Sequence, residues 1–275
     1  MLAQRIVTAV VGIIAAIFIV NYGQWVFAVA ALVLTALAWH EFYNMMVKRE
    51  IEVAYFLGLV SVGLLWAIAW VGNPQETVAV LLLATLIILA KTVVAHARFN
   101  LRDAAYTIAG VLYIGLSFAH LVLLRFSDQS LYIATKLGVL SAGALYLWLA
   151  FVGTWAADTF AFFVGSRFGR HKLAPAVSPG KTWEGVAGGL VGSVVGVTAL
   201  GGLGFLPLVH SVAIGLLVGV VAPLGDLVES SIKRYAGVKD SGRLLPGHGG
   251  VLDRFDSIMF VAPAVYYYLY IFVVR

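Results

Sequence analysis

The chain has 275 residues, a formal net charge of +5, 62% hydrophobic residues and only 11% Asp, Glu, Lys and Arg. Soluble domains carry about 25% charged residues, so the composition excludes an ordinary soluble enzyme and points to an integral membrane protein. Cysteine is absent, which excludes disulfides and thiolate metal sites, and in so apolar a chain the positive charge sets topology rather than marking a nucleic-acid partner.

Nine apolar runs approach the roughly 20 residues that a helix needs to cross the hydrocarbon core. They are 6–22, 25–43, 53–72, 77–95, 104–124, 137–164, 184–205, 209–228 and 257–274. The runs are continuous rather than alternating, which predicts helices and not a barrel. The first has one Arg followed by an apolar stretch, as a signal peptide does. No small-residue cleavage site leads into a soluble domain, so it is read as a retained span. Gly23, Gly72 with Pro74, Pro175 to Gly180, and Pro207 punctuate the joints.

Charge orients the spans. With the N-terminus inside, the cytoplasmic segments hold Arg5, Lys48, Arg49, Lys91, Arg98, Arg102, Arg167, Arg170, Lys172, Lys181, Lys233, Arg234, Lys239, Arg243 and Arg254. Only Arg125, Lys136 and Arg275 of the 18 basic residues fall outside. Positive residues gather on the cytoplasmic side of membrane proteins. The expected fold is therefore all-α, with about nine transmembrane helices, the N-terminus cytoplasmic and the C-terminus outside. Residues 1–135 read as a scaffold of plain spans. Residues 136–275 read as the catalytic membrane region, because they contain the longest polar loops and seven of the 13 acidic residues. No internal repeat is visible, which weighs against an inverted-repeat transporter.

Charge in or beside a membrane span is costly and marks function by default. In chain order, Asp158 comes first, inside the apolar LAFVGTWAADTFAFFVGSRFG. It is expected to face the bundle interior or a wet cavity, either as a functional group or as a buried hydrogen-bonded acid. SPGKTWEG follows at 178–185. Ser178, Lys181 and Thr182 suit a phosphate and Trp183 suits the headgroup level; a plain helix start carrying Glu184 in its first turn is the alternative. Asp226, Glu229, Ser230 and Lys233 then fall at i, i+3, i+4 and i+7, one face of a helix. That stripe suits a divalent cation beside an anionic substrate, or else a helix end with a solvated Glu229–Lys233 pair.

The densest feature is Ser230 to Asp256, SSIKRYAGVKDSGRLLPGHGGVLDRFD, an island of charge between apolar runs. Glycines around His248 permit backbone conformations closed to other residues and let amides approach a phosphate. Asp253 and Asp256 follow, and carboxylates suit Mg²⁺, which keeps waters and shares phosphate oxygens. Asp256 also stands where a helix cap for the last span is expected. Acids for metal plus bases for anions describe Mg²⁺-dependent phosphoryl or nucleotidyl transfer, in which two carboxylate-held metals clamp attacking and leaving oxygens.

Ser230, Ile232, Lys233, Arg234, Lys239, Asp240, His248, Gly249, Gly250, Asp253, Arg254 and Asp256 match every specified position of a signature. The segment resembles that of the CDP-diacylglycerol synthases (phosphatidate cytidylyltransferases). LAQRIVTA, DTFAFFVGSRFGR, SPGKTWEG and GDLVESSIKR are also similar to that family. Gly180 departs from it, standing where the family often has a polar or basic residue. The resemblance implies attack of phosphatidate on the α-phosphorus of CTP, releasing pyrophosphate. It further implies Asp226 and Asp253 as metal ligands, with Asp256 and Asp158 supporting them. Lys233, Arg234, Lys239, Arg254 and Lys181 would hold triphosphate or headgroup, with Ser178, Ser230, His248, Gly249 and Gly250 nearby. Mg²⁺ is the implied cofactor, with a second cation site of open identity. A homodimer in a bacterial inner membrane, with its active site facing the cytoplasm, completes the expectation.

An ion-path role for Asp158 and Asp226 predicts charge spread through the membrane depth, whereas the charges gather on one side. CDP-alcohol phosphotransferases need DGxxAR and prenyltransferases DDxxD, and neither string occurs.

Overall fold

The computed structural model describes the whole chain except residues 1, 74, 129, 130, 137, 245, 246, 248 and 275, and except the side chains of residues 2–6 and Ala9. Helix dominates. The elements in order are α1 (Leu2–Tyr22), α2 (Gln24–Val47), α3 (Tyr55–Val71), α4 (Glu76–Val94), α5 (Leu101–Gly110), a π-helical stretch (Val111–Leu116) and α6 (Ser117–Phe126). A hairpin β1 (Tyr132–Thr135) and β2 (Gly138–Ser141) precedes α7 (Ala142–Phe168). A second hairpin, β3 (Lys172–Ala174) and β4 (Ser178–Thr182), precedes α8 (Trp183–Gly201), α9 (Leu208–Ala236), α10 (Leu252–Phe255) and α11 (Ile258–Phe272).

Among the described residues, six helical segments are long and apolar enough to cross a membrane: 24–47, 76–94, 101–126, 142–168, 183–201 and 208–236. Shorter apolar helices run Val10–Tyr22, Tyr55–Val71 and Ile258–Phe272. Their outer faces carry exposed Ile14, Phe18, Val60, Leu86, Phe162 and Val195. An apolar surface of that kind is what lipid requires, and the chain is an integral membrane protein. The architecture is that of an all-α membrane protein, to which two short hairpins are added. Residues 138–141 pair with β1 instead of starting a span, and 178–182 form a strand rather than a free loop. Strands of three to five residues are too short to show alternation in sequence.

The chain divides into two compact units, Met1–Leu123 with Lys233–Phe255, and Leu124–Ile232 with Asp256–Arg275. In the first unit Trp39 of α2 is wholly buried. Its indole N–H donates to the Tyr55 carbonyl at 3.0 Å, which satisfies its polar edge. Gly58 and Gly110 leave room for that ring, since a Cβ at either would strike it. The start of α5 is fixed by a capping box. Asn100 accepts from the Arg102 and Asp103 amides, and Asp103 accepts in return from the Asn100 amide.

The second unit is organised by a stripe of small residues on α8. Gly185, Gly188, Gly189, Gly192 and Gly196 face Gly165, Val164, Ala161, Phe160, Ala157 and Ala156 of α7. Without side chains the backbones approach closely, the usual basis of helix pairing where lipid supplies no hydrophobic drive. Ser193 ties α8 to α9 by donating to the Gly215 carbonyl at 2.8 Å. Gly225 lets α9 pack directly on the Asp256–Ser257 backbone, where a Cβ would lie 2.6 Å from the Asp256 carbonyl oxygen.

Candidate functional site

The second unit contains a cavity of about 290 Å³ walled by α7, β4, α8 and α9. Its polar lining is Asp158, Lys181, Thr182 and Asp226; Phe162, Val186 and the α8 glycines supply the apolar walls. Pro223 lies inside α9 on this wall. A proline inside a helix has no N–H for the carbonyl four residues back, and Gly219 and Pro223 both line the cavity. The β3–β4 hairpin delivers Lys181. Thr182 ends the strand and caps α8, its hydroxyl accepting from the Gly185 amide at 3.1 Å. Lys181 Nζ pairs with Asp226 Oδ2 at 2.7 Å and donates to the Pro223 carbonyl at 3.3 Å. Ser230, one turn on, donates to Asp226 Oδ1 at 3.2 Å. Glu184 sits in the first turn of α8, where its carboxylate accepts from the Arg170 and His171 amides and ties the hairpin to the helix start. Asp158 lines the same cavity as Asp226 and Lys181.

The first unit contains the other cluster. Lys233 Nζ pairs with Asp253 Oδ1 at 2.7 Å. Asp253 Oδ2 accepts from the Ser241 amide at 2.8 Å, the Ser241 hydroxyl at 2.9 Å and the Gly250 amide at 2.8 Å. Burial raises the cost of ionising Asp253, but the Gly250 amide, the Lys233 ammonium and the Ser241 hydroxyl outweigh it and hold the carboxyl below the ordinary range. Gly249 has φ +81°, and a Cβ there would run into the Asp253 carboxylate. Arg49 donates to the Tyr235 carbonyl, one of the last in α9, which no helical amide satisfies. Arg102 donates to the Tyr235 hydroxyl at 3.2 Å.

Other expected residues are more open. Arg234, Lys239 and Arg254 are exposed, and Arg234 donates to the Val238 carbonyl at 3.3 Å. Ser178 is half-buried in β4. Asp256 accepts from its neighbour's amide, Ser257, at 2.7 Å, whereas α11 begins on Ser257 without a side-chain cap. Glu229 is only 1% exposed, so it is not part of a solvated helix face. His248 lies outside the described residues.

One member of the first unit's cluster escaped the sequence analysis. Glu41, within α2 and 7% exposed, accepts from the Val251 amide at 2.8 Å, the Leu252 amide at 2.9 Å and the Ser241 hydroxyl at 2.9 Å. The only signal was a lone acid in an apolar helix.

Each unit thus presents a carboxylate with an ammonium at 2.7 Å. A carboxylate oxygen that takes an ammonium at this distance also suits a metal cation, and the displaced ammonium suits a phosphate. No group of three or more Asp, Glu or His gathers among the described residues. Mg²⁺ does not need one, because it uses one or two carboxylates and draws its other oxygens from water and phosphate. The donor set therefore fits that ion.

Residues 3–272 match the model of the cytidylyltransferase family. Similar proteins include the phosphatidate cytidylyltransferase of Bacillus subtilis, 34% identical over 278 residues, covering 98% of both chains. That of Staphylococcus haemolyticus is 36% identical over 265 residues, covering 94% of this chain and 95% of the relative. A Staphylococcus aureus protein of the same name is 35% identical over the same shares. With the match running through both carboxylate–lysine pairs and nearly the full length, the chain belongs to the cytidylyltransferase family.

Proposed function

We propose that the protein transfers the cytidylyl group of CTP to phosphatidate, forming CDP-diacylglycerol and pyrophosphate. The observation that carries this is the match over residues 3–272, joined to the Lys181–Asp226 and Lys233–Asp253 pairs. A phosphate oxygen of phosphatidate attacks the α-phosphorus of CTP in line. The bond from that phosphorus to the bridging oxygen of the β-phosphate breaks, and pyrophosphate leaves with the electron pair. The nucleophile is already anionic, so no strong general base is needed, and catalysis rests on positioning and charge neutralisation.

Asp226 and Asp253 are the proposed Mg²⁺ ligands, one for each of two cation sites, with Asp158 and Asp256 in support. Bound there, the ion would neutralise phosphate charge and polarise the phosphorus. Lys181 and Lys233 hold phosphate oxygens, and exposed Arg234, Lys239 and Arg254 draw CTP or the headgroup from solution. Ser230 orients Asp226, and the Gly249–Gly250 backbone borders the phosphate. The nine-span layout, with the N-terminus and site cytoplasmic in a bacterial inner membrane, lets CTP arrive from water and phosphatidate from the bilayer. Residues 1–135 serve as scaffold and as the contact of a homodimer, which crosslinking in membranes tests.

The deciding experiment supplies α-³²P CTP and phosphatidate to purified protein, with and without Mg²⁺. Label entering chloroform-extractable lipid only when both phosphatidate and Mg²⁺ are present is the expected result. Folded protein that transfers none, across several phosphatidates and divalent ions, overturns the reading.

A further inference from the structure

Glu41 has no place in the chemistry above, yet it is a carboxylate buried in an apolar helix, where charge is expensive unless it is satisfied. Its partners are all in one short segment. Oε1 takes the Val251 amide and Oε2 the Leu252 amide and the Ser241 hydroxyl. The same Ser241 hydroxyl lies 2.9 Å from Asp253 Oδ2. Two glycines make room for the carboxylate. A Cβ at Gly242 would lie 2.6 Å from Glu41 Oε1, and one at Gly250 would collide with both oxygens. The segment is thus shaped around Glu41, and Glu41 satisfies amides that would otherwise be buried without acceptors.

We propose that Glu41 is a positioning residue for the transfer reaction: from α2 it fixes the backbone at Ser241–Gly242 and at Gly250–Leu252 and so holds the Asp253 carboxylate on Lys233. This rests on the functional reading above. Glu41 touches no reacting atom. It acts through Ser241 and the backbone on either side of Asp253, whose own oxygens then face Lys233 and Gly250.

The test uses the full-length protein and reads two quantities, turnover and hydrogen exchange at individual amides. Glu41→Gln keeps the size but turns an NH₂ group toward donors. It should lower kcat by about a hundredfold, the cost of a misplacement near an ångström. The Val251 and Leu252 amides should exchange about tenfold faster, as expected when a charge-assisted bond is lost, while the α3 amides keep their wild-type rates. Glu41→Asp, which retracts the carboxylate but keeps it, should fall between. Gly250→Ala disturbs the carboxylate from the opposite side and should reproduce both effects. Wild-type exchange at Val251 and Leu252 in Glu41→Gln overturns the proposal, as does fast exchange there with wild-type kcat. Faster exchange through α3 in both Glu41→Gln and Gly250→Ala also overturns it, by making Glu41 a general packing residue. The exchange arm needs no substrate. Label transfer by the wild type with unchanged exchange in the variant therefore sinks the positioning role alone, whereas no transfer by the wild type sinks the functional reading.

Discussion

The two lysine–aspartate pairs share a chemistry and a 2.7 Å separation but not a setting. Lys181 and Asp226 keep side-chain exposures of 22% and 31% on the wall of a cavity, whereas Lys233 and Asp253 keep 12% and 6%. Asp226 has one serine beside its lysine, while Asp253 is ringed by two amides and a hydroxyl from its own loop. The first pair can exchange partners at little cost, because an accessible ion pair contributes only about 0–1 kcal/mol. The second is built into the loop that carries it, and loosening it disturbs the fold as well as the chemistry.

The largest expected effect treats the pairs alike. Asp226→Asn and Asp253→Asn should each lower label transfer by about a thousandfold, the scale of losing one charge-stabilising group in a transition state. Full turnover by both purified variants would break the metal assignment. The lysines should then separate the pairs. Lys233→Ala leaves Asp253 buried without its counter-charge, and such a change costs about 3 kcal/mol. Lys181→Ala should cost under about 1 kcal/mol while still impairing transfer. Thermal unfolding of the two variants in one detergent reads the difference directly; equal melting temperatures would erase the contrast.

The same contrast governs what was legible in sequence. Apolar runs of span length announced the helices because hydrophobicity is a local property. Lys181, Asp226, Lys233 and Asp253 stood out because charge is rare in this chain. Glu41 did not, although the reasoning applied to Asp158 covers it equally: both are lone acids in apolar helices. What makes Glu41 informative is its reach to Ser241, 200 residues away, and no local pattern encodes such a contact. The β3–β4 hairpin was missed for a related reason. Its strands satisfy each other's backbone groups, and only that pairing, not residue type, marks them. The pairing also matters to the site, since it carries Lys181 to the cavity.

The locked pair should leave a mark on pH dependence. The Asp253 carboxyl titrates below its ordinary value in the folded protein. The unfolded state therefore binds the proton more readily, and protonation favours unfolding. The stabilisation from Asp253 is fully present above the unfolded value, about 3.9, and is lost as pH falls through the lower folded value. Melting temperature should thus be insensitive to this group from pH 7 to about 5 and fall more steeply in acid for wild type than for Asp253→Asn. Parallel acid limbs would show that the ring of donors adds nothing to stability.

The smallest effect on activity belongs to the topology that gives the two settings their meaning. Lys136 and Lys172 are both exposed, and the proposed layout, which rests on the positive-inside rule, expects Lys136 outside and Lys172 in the cytoplasm. A chain without cysteine allows single cysteines at either position to report by labelling intact cells with an impermeant maleimide. Lys136→Cys should label before lysis and Lys172→Cys only after it, each with turnover within about twofold of wild type, as surface changes away from a site usually are. Lys172 lies on β3, whose partner strand carries Lys181, so its side also fixes the side of the proposed CTP contact at Lys181. Labelling of Lys172→Cys from outside would place Lys181 where no cytoplasmic nucleotide arrives, and the open pair would lose its proposed partner.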